Sequence, residues 1–197
     1  MLNIGVLVSG GGTNLQAIID ETLAGNINGK VRVVISNKEN AYGLERARQN
    51  NIDAVFETDE DNIIKVLEEY NVDLVILAGY LKIISPKFVD KFRNKIINIH
   101  PSLIPSFCGG GYYGQRVHQA VIDSGVKITG ATVHFVDEGT DTGPIIMQDT
   151  VEVKDNDDAQ TLSKRVLEIE HRILKKSISL FCENKLSIQG RRVFINE

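Results

Sequence analysis

Apolar and polar positions fall in alternating blocks along the chain. Leu2 to Val8 is a mostly apolar run, Val31 to Ile35 a second, and Asp73-Leu74-Val75-Ile76-Leu77-Ala78 is apolar almost throughout. Runs without a polar face suit parallel strands buried on both sides. Between them the period changes. Leu15, Ile18, Ile19 and Leu23 recur at helical spacing, and Leu44 to Gln49 reads as a short helix. Asp59 is placed to cap a helix through Tyr70, with Ile63, Ile64, Val66, Leu67 and Tyr70 on its apolar face. Ala54 to Phe56 is a weaker strand. Gly79 to Pro86 reads as a loop, Lys87 to Phe92 as a short helix and Lys95 to Ile99 as a fifth strand. This alternation predicts an α/β fold with a doubly wound, mostly parallel, Rossmann-like sheet.

The second half changes style. Pro101 to Tyr113 is rich in glycine, proline and aromatic residues, and long enough to be a functional loop. Gln115 to Asp123 is a predicted helix. Ile128 to Val136 and Pro144 to Val153 are predicted strands, an antiparallel element joined by a loop. Asp157 or Asp158 starts a long helix to about Cys182, and Val193 to Ile195 is a final short strand. No repeat or linker interrupts the chain, so residues 1–197 are expected to form one domain.

Composition narrows the functional classes. The 197 residues are 42% hydrophobic and 24% charged, enough for a well-buried core. The net charge of −4 argues against a nucleic-acid binder, which needs a basic face. Cys108 and Cys182 have no metal-type spacing, and two cysteines point to free thiols in a reducing compartment. The first apolar run has no basic segment before it and reads as a strand, not a signal peptide. No apolar run reaches the length of a membrane span. A cytoplasmic protein without membrane or nucleic-acid partners is expected.

Three places carry candidate chemistry. Ser9-Gly10-Gly11-Gly12-Thr13-Asn14 joins a first strand to a first helix, where free N–H groups can face an anion. No Gly-Lys-Ser/Thr follows, and Leu15 stands where a dinucleotide fingerprint needs its third glycine. The loop therefore suits a single phosphate, or is simply a tight turn capped by Thr13 or Asn14. Asn98 and His100 share a strand face at the ligand-binding edge of such a sheet. An amide N–H can bind an oxyanion and a histidine can exchange protons, although a polar strand end with a capping histidine explains the pair equally well. Asp141 lies in an acidic loop that lacks EF-hand spacing and can orient a histidine. Ser102 has no Gly-x-Ser-x-Gly elbow, and His100, His118, His134 and His171 have no ligand spacing, so neither serine hydrolysis nor a metal site is expected. His134 reads as a hydrogen-bonded strand residue.

Together these segments resemble the phosphoribosylglycinamide formyltransferase family. The likeness runs over essentially the whole chain. It includes Ser9 to Ile18, Ser36-Asn37-Lys38, Gly43 to Ala47, Leu77-Ala78-Gly79-Tyr80, Asn98 to Leu103, Gly130 to Val136 and Asp141-Thr142-Gly143-Pro144. The resemblance implies a catalytic set of Asn98, His100 and Asp141. It implies that Gly11, Gly12, Thr13 and Asn14 bind the phosphate of glycinamide ribonucleotide and that Glu170 contacts its ribose. It implies a folate pocket made by Leu81, Lys82, Ile83 and Ile84 with Val136, Asp137, Glu138, Gly139 and Thr140. The cosubstrate would be 10-formyltetrahydrofolate, with no metal, and the assembly a monomer or homodimer. Residues 1–100 would then be the phosphate-binding half and 101–197 the folate-binding and catalytic half.

The implied mechanism is direct attack of the amine on the formyl carbon, with Asn98 and a protonated His100 stabilising the oxyanion and Asp141 favouring the imidazolium. The chain departs from the family pattern at Cys108, where a proline is common, at Gly109 to Gly114, where some members are histidine-rich, and at Lys82, where an arginine is common. Lysine keeps the charge but loses the planar fork. Two relatives in the same superfamily, methionyl-tRNA formyltransferase and formyltetrahydrofolate deformylase, are disfavoured because each is expected to carry a further domain. A non-catalytic nucleotide-binding module is the alternative from a different class.

Overall fold

The structure is a computed structural model that describes residues 1–196. Its first half forms β1 (Leu2–Val8), α1 (Thr13–Leu23), β2 (Gly29–Ser36), α2 (Tyr42–Gln49), β3 (Asp53–Phe56), α3 (Glu60–Glu69), β4 (Leu74–Leu77), α4 (Pro86–Lys91) and β5 (Ile96–His100). These strands pair in parallel in the order β3-β2-β1-β4-β5. The order reverses between β1 and β4, which opens a crevice at the carboxyl ends of the strands. The second half adds α5 (Gln115–Ser124), β6 (Ile128–Phe135), β7 (Ile145–Glu152), α6 (Ala159–Cys182), β8 (Leu186–Gln189) and β9 (Arg192–Ile195). β6 pairs antiparallel with β5, and β7 antiparallel with β6. The β8–β9 hairpin closes that edge through a parallel β7–β9 contact. The α/β class, the parallel sheet and the antiparallel C-terminal part are as the sequence predicts.

Two apolar layers sandwich the sheet. Ile4, Val6 and Val8 of β1, Ile97 and Ile99 of β5, and Ala131, Val133 and Phe135 of β6 face one layer, filled from α1, α2, α5 and α6. Leu7, Val75, Leu77 and Ile96 face the other, filled from α3 and α4. Each fully buried leucine or isoleucine contributes about 1.5–3 kcal/mol. Strand alternation then puts Asn98 and His100 of β5, and Thr132 and His134 of β6, on the α3–α4 side. Helices α3 and α4 cover β1, β2 and β4 but stop at Ile96, so the sheet beyond it is covered by loops 101–114 and 137–143.

Local chemistry explains most boundaries. The Asp59 carboxylate accepts from the Asn62 N–H at 3.0 Å and starts α3 as expected. Of the two candidates for α6, Asp158 is the cap, accepting from the Thr161 N–H at 2.7 Å, while Asp157 pairs with Arg165. Pro86 is the first residue of α4, not the end of the loop, because Ser85 caps the Phe88 N–H and proline has no N–H to lose. β8 lies outside the strands that the sequence predicts. Its partner β9 is reached through Gly190-Arg191, with Gly190 at φ 61, a short turn that pairs a segment too brief to show a clear period alone. Cys108 and Cys182 are free thiols. No helix among the described residues is long and apolar enough to cross a membrane.

Candidate active site

Asn98 and His100 converge with Asp141 in one cleft of about 510 Å³ at the carboxyl edge of β4 and β5. Asp141 belongs to the loop between β6 and β7, which folds back over the sheet. The Asp141 carboxylate accepts from the Gly109 N–H at 2.9 Å and lies 3.6 Å from His100 Nδ1 and 3.7 Å from His134 Nε2. Both separations are too long for hydrogen bonds. They keep the charge close to two imidazoles.

Hydrogen bonds assign the ring protons. His100 Nε2 lies 2.9 Å from the Phe107 carbonyl, and a carbonyl only accepts, so Nε2 carries a proton. Nδ1 is then the nitrogen that gains or loses a proton, facing Asp141. His134 Nδ1 lies 2.8 Å from the Phe135 carbonyl by the same logic, so neutral His134 presents a bare Nε2. The Asn98 amide donates one N–H to that atom at 3.1 Å. Its second N–H remains for an oxyanion. His134 therefore belongs to the site, although the sequence alone shows only a strand residue. The missing signal is the β5–β6 register, which sets His134 directly opposite Asn98.

Burial decides the charge on His100. Desolvation pushes its pKa below the ordinary value, outweighing the upward pull of Asp141 and of the Phe107 carbonyl, with His134 lowering it further. Desolvation therefore favours the neutral imidazole, against the imidazolium that the Asp141 charge favours. Burial raises the Asp141 carboxyl, but the two imidazoles and the Gly109 N–H prevail and hold it below the usual range. His118, buried beside His100, is pushed down to about 4 by desolvation.

The far end of the cleft meets the glycine loop. Glu170, deep on α6, accepts from the Asn14 amide at 2.7 Å, and burial raises its pKa to about 7 against that bond. Asn14 Oδ1 is buried without a partner. Asn14 and Glu170 line the cleft, whereas Gly11, Gly12 and Thr13 do not. Gly12 has φ 71, and a Cβ there would stand 2.8 Å from Gly43 Cα, so α2 packs directly under the loop. Gly43 N–H donates to the Gly10 carbonyl at 3.0 Å and Arg46 Nε to the Gly11 carbonyl at 2.8 Å. Ser9 ties the loop to Asn37 and to the Leu81 N–H. These bonds give Ser9, Asn37, Gly43 and Arg46 a structural reason to accompany the loop.

The remaining predicted residues divide. Leu81, Lys82, Ile83, Ile84, Val136, Asp137, Gly139 and Thr140 line the cleft, with Leu81 and Ile83 forming an exposed apolar rim. The Lys82 ammonium turns to the Thr58 carbonyl at 2.7 Å, and Glu138 leaves the cleft for an ion pair with Arg93 at 2.6 Å. Gly109 to Gly114 and His118 also line the cleft. Ser102 is fully buried and donates to the Ser106 carbonyl at 2.6 Å, so it holds the loop and is no nucleophile.

The model of the formyl transferase family matches residues 2–178. The chain is 42% identical to the phosphoribosylglycinamide formyltransferase of Haemophilus influenzae, covering 100% of this chain and 94% of that one. It is 41% identical to the chloroplastic enzyme of Vigna unguiculata, of which it spans 62%, and 41% identical to the trifunctional purine biosynthetic protein of Bos taurus, of which it spans 20%. The glycinamide ribonucleotide transformylase 1 structure from Symbiobacterium toebii superposes with a TM-score of 0.94 at 45% identity, covering 100% and 95% of the two chains. A formyltetrahydrofolate deformylase from Pseudomonas syringae, 22% identical, shares the fold with a TM-score of 0.90.

Proposed function

The chain belongs to the formyl transferase family, and from that premise we propose that it moves the formyl group of 10-formyltetrahydrofolate onto the amine of 5-phosphoribosylglycinamide, giving the N-formyl product and tetrahydrofolate. The observation that carries this reading is the convergence of Asn98, His100 and Asp141 on one cleft that runs to the glycine loop and Glu170. In this reading the phosphate rests on the backbone of Gly11 to Asn14 and the ribose hydroxyls on Glu170. The folate occupies the wall of Leu81 to Ile84 and the backbone of Val136 to Thr140, where the apolar rim suits a flat ring. The continuous sheet supports treating residues 1–197 as one formyltransferase domain.

The amine nitrogen attacks the formyl carbon, and the carbonyl electrons move to oxygen. The free N–H of Asn98 meets that oxyanion. Neutral His100 takes the amine proton at Nδ1, and Asp141 stabilises the resulting imidazolium across the 3.6 Å gap. The proton then passes to the folate nitrogen as its bond to the formyl carbon breaks. A protonated amine cannot attack and a protonated His100 cannot accept, so the rate falls on the acid side.

The test is an assay of the purified protein with both substrates, following the formylated ribonucleotide and tetrahydrofolate. Stoichiometric formation of both is expected. Binding of the ribonucleotide with no transfer to it would instead favour a nucleotide-binding module.

A further inference from the structure

We propose that Arg191, at the turn of the β8–β9 hairpin, is a positioning residue that holds Asp141 against His100 by gripping the carbonyl of Thr142. This rests on the formyl-transfer reading for its kinetic consequence, though not for its electrostatic one. The hairpin lies past residue 178, where the family match ends. It nonetheless reaches the loop that carries Asp141, because the pairing of Ile145 with Arg192 sets the hairpin turn beside the end of the 137–143 loop. Arg191 donates to the Thr142 carbonyl at 2.9 Å. Among the described residues no other donor reaches that oxygen. Neighbouring Arg192 is used within the hairpin, its guanidinium 4.9 Å above the Phe194 ring.

The loop needs such a hold. Asp141 has φ 57, a left-handed conformation that costs a non-glycine residue free energy. Asp137 secures the loop from inside, accepting from the Gly139 N–H at 3.1 Å and from the Thr142 hydroxyl at 2.5 Å. Gly143 passes so close to the strand that a Cβ would stand 1.8 Å from the Phe135 carbonyl. Thr142 is thus held at its side chain by Asp137 and at its carbonyl by Arg191. Releasing the carbonyl frees the Thr142–Gly143 peptide, one residue past Asp141, and with it the loop end that positions the carboxylate. His100 also faces His134 on β6 and His118 on α5, with Glu170 of α6 in the same cleft, and Asp141 is the group whose charge favours its imidazolium.

The experiment compares full-length Arg191→Ala, Arg191→Lys and Arg192→Ala with the parent protein. His100 is titrated by NMR of its imidazole, and kcat and KM are measured against pH. For Arg191→Ala the His100 pKa is expected to fall by a few tenths of a unit, with kcat lower by about 3- to 10-fold, a modest factor because the donor is solvent-exposed. The acid limb of the rate should move to lower pH, and KM for the ribonucleotide should hold. Arg191→Lys should restore part of each change, and Arg192→Ala should leave the His100 pKa alone. An unmoved His100 pKa in Arg191→Ala, or an equal shift in Arg192→Ala, overturns the proposal. If the parent protein transfers no formyl group, the functional reading fails while the NMR titration still decides the role of Arg191.

Discussion

His100 sits between two opposed influences, the loss of solvent around its ring and the carboxylate 3.6 Å from Nδ1. Desolvation favours the neutral ring, and in the proposed mechanism the imidazole turns from base to acid once the amine gives up its proton. Asp141→Ala should therefore lower kcat and shift the acid limb to lower pH, with little change in ribonucleotide affinity; a kinetic pH series with binding measured separately checks this. Asn98→Ala removes one oxyanion donor and should lower kcat by about 10²- to 10³-fold, or ~2.7–4 kcal/mol. An unchanged kcat would remove Asn98 from the mechanism. Glu170 provides a separate pH signature. Its folded pKa is raised from 4.5 to about 7, so the folded state binds the extra proton between those values. This contribution is fully present below pH 4.5 and is lost as pH rises through about 7. Thermal stability of Glu170→Gln should lack that fall, and melting curves at stepped pH show it. At this scale the sequence reveals residue types better than directions. Asn98 and His100 are legible by alternation, but nothing local shows that the Thr58 carbonyl captures Lys82, that Arg93 captures Glu138, or how deeply His100 is buried.

Among the elements, the strand-loop-helix unit at β1–α1 is the most legible, since its glycines announce both the turn and the close approach. What they approach is not legible: α2 lies under Gly12, and its Gly43 and Arg46 hold the loop carbonyls. Gly12→Ala would force alanine into the left-handed region, costing about 1–2 kcal/mol, and press its methyl on the Gly43 backbone for about 1–3 kcal/mol more. The expected result is a clear loss of melting temperature and a KM for the ribonucleotide that rises more than the KM for folate. Equal rises in both would detach the loop from phosphate binding. The long loops are the least legible elements. Asp141 belongs to one of them, and its spacing from His100 along the chain says nothing of the distance across the cleft.

For the molecule as a whole, one sheet carries both halves, with β5 and β6 forming the seam between the parallel and antiparallel parts. Far-UV and tyrosine signals should therefore melt in a single shared transition, whereas two separated transitions would show residues 1–100 and 101–197 folding apart. The class of sheet is readable from its apolar runs, and β6 is readable as a strand; that β6 pairs with β5, and which residue faces which across that seam, is not, because register arises from pairing between distant segments. The same seam constrains how such a protein can diversify. Asn98 and His134 meet because they are opposite each other in the pairing, so inserting or deleting one residue in either strand would turn one of them to the far side of the sheet. New chemistry or specificity must then enter through segments that change length without disturbing the pairing, the 101–114 and 137–143 loops. Cys108 and Gly109 to Gly114 fall in the first of these, outside the strands that form the floor of the site.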